Sequence, residues 1–290
     1  MKKRFGTLIL ALVLAFTLAI PAGATVTTDV VNGTHLDSAF EDRNVLSDGT
    51  VVEDDAIVLR NSEDVEEMIK RDEETYAQEY AEKVSKIDPQ LKRDFEEFTA
   101  ENKDSNATTY DEIIDEFTAM YPEYSDINIE KDIMTMQDNV TADLVRDFFR
   151  GKGYTISLAL FNHSLTENPE KAYLDIIGNV SGIYFDIRSQ LTTKYDFFSR
   201  MVAFSRADSS YKTETIKDYV FDKSNTDMYW AIHKFNWKRT RTAYDKAYFK
   251  IIDTYDFVGG PAITGVIASM AGTHEFPVEI YGLVQNGVLK

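Results

Sequence analysis

Cysteine is absent from the 290-residue chain, which excludes a disulfide scaffold, a thiol nucleophile and any cysteine-ligated metal. Stability must then come from a packed core, and a chain of this length can bury one. Long apolar runs are equally scarce. Beyond residue 20 none approaches the ~20 residues of a spanning helix, and the closing LVQNGVLK has no hydrophobic tail. No HExxH, glycine-rich phosphate loop, G-x-S-x-G elbow or complete EF-hand loop occurs, nor any repeat of solenoid period. No cofactor and no metal-ligand set is legible.

The one long apolar run lies at the N-terminus. Lys2, Lys3 and Arg4 form a positive n-region, Leu8 to Ile20 an apolar h-region, and Ala22-Gly23-Ala24 a small-x-small site. This pattern predicts a signal peptide over residues 1–24, cleaved after Ala24. A membrane anchor fits less well, because the run is short and Pro21 closes it. The expected product is secreted, with no stable membrane span after cleavage, and the lysine-rich n-region without disulfides suits a bacterial protein.

Charge is unevenly distributed. Residues 25–140 hold 32 acidic and 10 basic side chains, a net of −22, whereas residues 141–290 hold 17 and 18, a net of +1. Such asymmetry argues for separate physical roles. It also disfavours nucleic acid as a partner, since phosphates would be repelled by the first half. Residues 25–60 are polar and acidic and read as an extended or disordered lead. Residues 61–140 read as an acidic helical region. Asn61-Ser62 caps a helix bearing Val65, Ile69, Tyr76, Tyr80 and Val84, and Asp88-Pro89 breaks it. Leu91, Phe95 and Phe98 mark a second helix, and Thr109-x-x-Glu112 opens a third that ends before Pro122.

Residues 141–290 read as an α+β domain with an antiparallel sheet of about three to five strands and packed helices. Thr141 is expected to cap a short helix ended by Gly151 and Gly153, and Tyr154 to Phe161 reads as a helix or a buried strand. KTETIKDYVF, MYWAIHKFNWKRT, KAYFKIIDTYDF and PVEIYGLV read as strands. The second and third form a hairpin turning in Thr242 to Asp245, with Tyr229, Ala231, His233, Phe235 and Trp237 on one face and Trp230, Ile232, Lys234, Asn236 and Lys238 on the other. Ala262 to Ala271 reads as a small-residue buried helix.

Two constellations could carry chemistry. The first is Asp253, Tyr255 and Asp256, with His233 on the partner strand. A carboxylate pair at a strand end with a neighbouring imidazole suits acid/base work, and with the tyrosine hydroxyl it would suit Mg²⁺ or Ca²⁺. Asp253-x-Tyr255-Asp256 resembles part of the motif of the colicin M-like hydrolases, which cleave the cell-wall precursor lipid II. Here Phe257 to Pro261 follow where that family has a His-Arg pair. The structural alternative is that Asp256 caps a turn or helix and Asp253 pairs with a basic residue on the next strand. The second constellation is the basic, aromatic hairpin: Lys234, Trp237, Lys238, Arg239 and Arg241, with Lys246, Lys250, Tyr244, Tyr248 and Tyr255. It suits an anionic cell-surface or wall polymer, or the chain's own acidic helices, while the bland reading is an edge hairpin protected by lysine. The expected function is a non-catalytic module that binds a cell-envelope or other anionic component. The alternative is a hydrolase of a phosphate-containing envelope substrate using Asp253, Asp256 and His233.

Overall fold

In the computed structural model, residues 46, 50–52, 56–102, 107, 109–176, 195–220, 227–232, 234–256 and 271–290 are described. The signal segment, His233 and most of the segment read as a buried helix over Ala262 to Ala271 lie outside the described residues.

Helix α1 (Ser62–Val84) begins where the Asn61 side chain accepts from the Asp64 backbone N–H at 2.9 Å and the Asp64 carboxylate accepts from the Arg60 N–H at 2.6 Å. The Asp64 N–H is one of the four amide donors that every helix start leaves without an internal partner, and the Arg60 N–H lies just ahead of the cap. Helix α2 (Pro89–Glu101) has Pro89 in its first turn and Asp88 as its cap; helix α3 (Tyr110–Met120) is capped by Thr109. All three follow the sequence reading. Helix α4 does not, because it runs unbroken over Glu130–Lys152 with Thr141 at its centre. Its first turn has no side-chain cap hydrogen bond, and Thr141, read as a cap, lies within the helix. Gly153, at φ 68°, ends it in the left-handed conformation that glycine adopts without strain. Thr155–Ser164 forms α5, settling the helix-or-strand ambiguity, and its residues from Ile156 onward are buried. Helices α6 (Tyr195–Arg206) and α7 (Asp227–Ala231) complete the seven α-helices among the described residues. The last corrects the sequence reading, since Tyr229 to Ala231 are helical and not part of a strand.

The strands are β1 (Ile57–Leu59), β2 (Ala172–Asp175), β3 (Lys212–Val220), β4 (Lys234–Ala243), β5 (Lys246–Tyr255), β6 (Phe276–Gln285) and β7 (Val288–Leu289). They form one sheet in the order β1-β2-β6-β5-β4-β3, with β7 paired to β6. The α+β class holds, but the sheet has seven strands and is mixed. β1–β2 and β2–β6 are parallel, and the other pairings antiparallel. The β4–β5 hairpin is interior, and β3 is the edge strand. That edge carries a bulge between Ile216 and Tyr219, with Asp218 at φ 53°, which interrupts the free row of amides.

The inner sheet face packs Trp237, Phe249, Ile251, Val278 and Ile280 against α5, α6 and α7 in the main core. A second core of Leu91, Phe95, Phe98, Ile113, Phe117 and Ile133 joins α2, α3 and α4. The long helices α1 and α4 enter both: Val65 and Val145 lie in the main core, Val84 and Ile133 in the helical one. The acidic helices are thus continuous, through two rods, with the body that carries the sheet.

Candidate functional site

The strand end comes first. Asp253 follows Ile251 on the inner-face row of β5 and lies opposite Val278 of β6. Burial pushes its carboxyl up to about 8, with the nearby charge of Asp256 adding to the rise and the Thr254 backbone N–H opposing it. Among the described residues no lysine or arginine pairs with Asp253, so the expected tie to a basic residue on the neighbouring strand is not made there. Asp256 is half-buried just beyond the strand. Tyr255 is buried against Phe276, ring centroids 5.4 Å apart, and burial raises its phenol well above the ordinary range. No group of three or more His, Asp or Glu side chains suited to a metal occurs among the described residues.

The hairpin separates its residues by face. Trp237 is 0% exposed and stacks at 4.6 Å from Phe197 in the core. Arg241, 1% exposed, donates to the carbonyls of Phe204 and Ser210 at 2.8 and 2.9 Å and pairs with Asp208 at 2.6 Å. Arg239 lies over the Phe204 ring at 4.3 Å and donates to Glu214. These three side chains stand on the inner-face row with Phe235 and fasten α6 and the chain that follows it to the sheet. Lys234 is exposed and pairs with Asp218 at 2.8 Å. Lys238 is exposed, and among the described residues no acid pairs with it. Tyr255, too, belongs to the core row.

Among the described residues, the opposite sheet face is covered at one side. Over β2 and β6, Leu46 and Val52 pack on Tyr173 and Tyr281. Over β3, β4 and β5, Thr213, Thr215, Asn236 and Lys238 are exposed, and Thr240, Tyr248 and Lys250 are half-buried. Register places Thr215, Lys238, Lys250 and Tyr281 in one row across the strands, and Thr213, Thr240, Tyr248 and Leu283 in the next. The Thr213 and Thr240 hydroxyls bond at 3.1 Å. Lys250 reaches Glu279 at 2.5 Å, which Lys171 also meets at 2.9 Å and Tyr281 at 2.7 Å. These contacts together hold the Glu279 carboxyl below the ordinary range despite its burial. Lys246 lies over the Tyr248 ring at 5.4 Å. Among the described residues, the hairpin's basic side chains form ion pairs with Asp208, Glu214, Asp218 and Glu279, and with no acid of residues 61–140.

Compared with known protein families, curated proteins and solved structures, the chain matches none. The site is therefore read from geometry alone.

Sequence reasoning named Lys238, Lys246, Lys250 and Tyr248 but not the threonine hydroxyls beside them. The signal was available in KTETIK, where threonine alternates at the period of a strand. That Trp237 and Lys238 face opposite ways was also legible, since successive strand residues alternate. That the hairpin is interior was not, because strand order is not written in local pattern. With β4 and β5 paired on both sides, edge protection does not account for their lysines.

Proposed function

We propose that this is an exported, non-catalytic module that holds an anionic cell-envelope polymer against the open sheet face over β3, β4 and β5. The observation that carries the reading is the Lys238–Lys250 pair: two cations opposite each other on interior strands, beside threonine and tyrosine hydroxyls. Lysine ammonium groups meet phosphates as mobile point charges, and hydroxyls donate to their remaining oxygens. Exposed strands of this kind bind by many weak contacts, so affinity depends on salt. The acidic helices serve solubility. In this reading Lys238 and Lys250 bind, while Trp237, Arg239, Arg241 and Tyr255 shape the sheet beneath. The test is binding of the chain from Thr25 onward to poly(glycerol phosphate) and to neutral dextran. Wild type should retain only the charged polymer, and Lys238→Glu should weaken that binding about tenfold. Equal retention of both polymers would overturn the reading.

A second reading rests on the half-buried Asp253 at the end of β5, whose carboxyl desolvation pushes up to about 8 with a smaller push from Asp256. A carboxyl that keeps its proton at neutral pH suits a general acid. In a hydrolase of a phosphate-containing envelope substrate, Asp253 would protonate the leaving group and Asp256 or His233 would take the proton from water. Asp253→Asn would then abolish turnover of such a substrate without unfolding the chain.

A further inference from the structure

Two aromatic side chains stand out in the described chain by their exposure, Tyr211 at 73% and Tyr244 at 63%, and the register brings both to one end of the sheet. Lys212, the first residue of β3, pairs with Arg241 near the end of β4, so Tyr211 enters the sheet where β4 leaves it. Tyr244 occupies the β4–β5 turn. The β6–β7 turn lies at the same end, for the backbone N–H groups of Asn286 and Gly287 donate to the Asp245 carbonyl and carboxylate at 3.0 and 3.1 Å. It carries Val288, 37% exposed.

This end is rigidly built. The Asp245 N–H donates to the Ser205 carbonyl at 2.8 Å, and the Asp245 carboxylate accepts from Arg206 Nε at 3.1 Å and from the Ser205 hydroxyl at 3.2 Å. The two turns and the end of α6 therefore form one body, and both rings are largely exposed on it. The acids nearby are occupied. Asp208 meets Arg241 and Ser210, Asp245 is held as described, and Glu214 is shared by Arg239 and Lys212. Lys246 has no ion-pair partner among the described residues, and Arg206 and Lys212 are about half exposed.

We propose that this end of the sheet docks on an anionic lipid surface. Tyr211 and Tyr244 lie at headgroup depth, and Lys246, Arg206 and Lys212 lie over the headgroup phosphates. A phenol has an apolar body and a polar tip, which suits it to the boundary between acyl chains and water. Cations at the same level add attraction to anionic lipid, and two rings with a few charges give reversible binding, not insertion. Lys246 is shared with the open face, where it lies over the Tyr248 ring, but the proposal rests on Tyr211 and Tyr244 and does not depend on the polymer reading.

The test is co-sedimentation of the chain from Thr25 onward, which retains every described residue, with vesicles of phosphatidylcholine alone or with 30% phosphatidylglycerol as an arbitrary working composition of about that value. Binding is expected only to the anionic vesicles, falling about tenfold in the double variant Tyr211→Ser/Tyr244→Ser and recovering in Tyr211→Trp/Tyr244→Trp. Both positions are exposed, and an unchanged melting curve would show that the fold is intact. Equal binding to the two vesicle types, or no change in the serine variant, would overturn the proposal. Loss of poly(glycerol phosphate) binding in place of vesicle binding would also overturn it and give this end to the polymer.

Discussion

Lys238 and Lys250 stand directly opposite each other on β4 and β5, and only Lys250 is neutralised, by Glu279 at 2.5 Å. Like charges across neighbouring strands cost stability, of the order of 0.2–1 kcal/mol. Fold stability gives no reason for a lysine at 238, where a threonine would pack as well on the pleated surface.

Lys238→Thr is therefore expected to leave stability unchanged or raise it by up to about 1 kcal/mol, while weakening retention by poly(glycerol phosphate). Urea denaturation beside the binding assay checks the pair of effects. A loss of stability above about 1 kcal/mol would mean that Lys238 supports the sheet.

Asp72 and His163 form a buried polar link between α1 and α5, Oδ2 to Nδ1 at 3.0 Å, with both side chains 2% exposed. Because the Glu170 carbonyl 3.0 Å from Nε2 can only accept, Nε2–H donates to it, while Arg71 donates to the other Asp72 oxygen at 2.7 and 2.9 Å. Removing one partner strands the other in the core, so Asp72→Ala should cost about 3–5 kcal/mol by chemical denaturation. A cost under about 1 kcal/mol would show that the link is dispensable.

The contribution of two half-buried carboxyls to stability should fall as pH rises from about 4 to about 8. The Asp253 carboxyl, ordinarily near 3.8, is raised to about 8 in the fold, and Asp138, half-buried beside Tyr110, to about 6. Across those intervals the unfolded chain has released protons that the folded chain still holds, so each step up in pH favours unfolding. The Asp138 contribution levels off above 6 and that of Asp253 above 8. Asp253→Asn should remove the larger part of this slope, leaving stability little changed near pH 4 and raising it by about 1–3 kcal/mol at pH 8. Equal melting temperatures for variant and wild type at pH 8 would contradict the burial of that carboxyl.

Gly282 of β6 lies opposite Phe249 of β5, whose ring closes over it so that a Cβ there would overlap the ring. Gly282→Ala should cost about 1–3 kcal/mol, and Phe249→Leu in the same chain should return part of that loss. Additive losses in the double variant would place the ring elsewhere.

Where the sequence and the fold agree, local chemistry suffices. Asn61 and Thr109 cap the helices expected of them, Asp88, read as a break, also caps the helix that follows it, and β3 to β6 follow alternation and β-branched content. Where they part, the cause is non-local. The AYLD of β2 is buried on both faces and so shows no alternation, as strands flanked by parallel neighbours generally do not. The aromatic DMYWA of α7 resembles a strand, yet its Asp227 caps α5 from 70 residues away, accepting from Ile156 N–H and Ser157 N–H at 2.9 and 2.8 Å. No pattern within either segment announces that contact. The same holds for the candidate site, whose alternating lysines were visible while the strand order that sets them on interior strands was not.

The most direct test of the open-face reading is a ¹⁵N NMR titration of the chain from Thr25 onward with poly(glycerol phosphate). The account predicts shifts confined to Thr213, Thr215, Asn236, Lys238, Thr240, Tyr248 and Lys250, and fading as salt is raised. Shifts gathered at Asp253 and Asp256 would contradict it, as would no shifts at all.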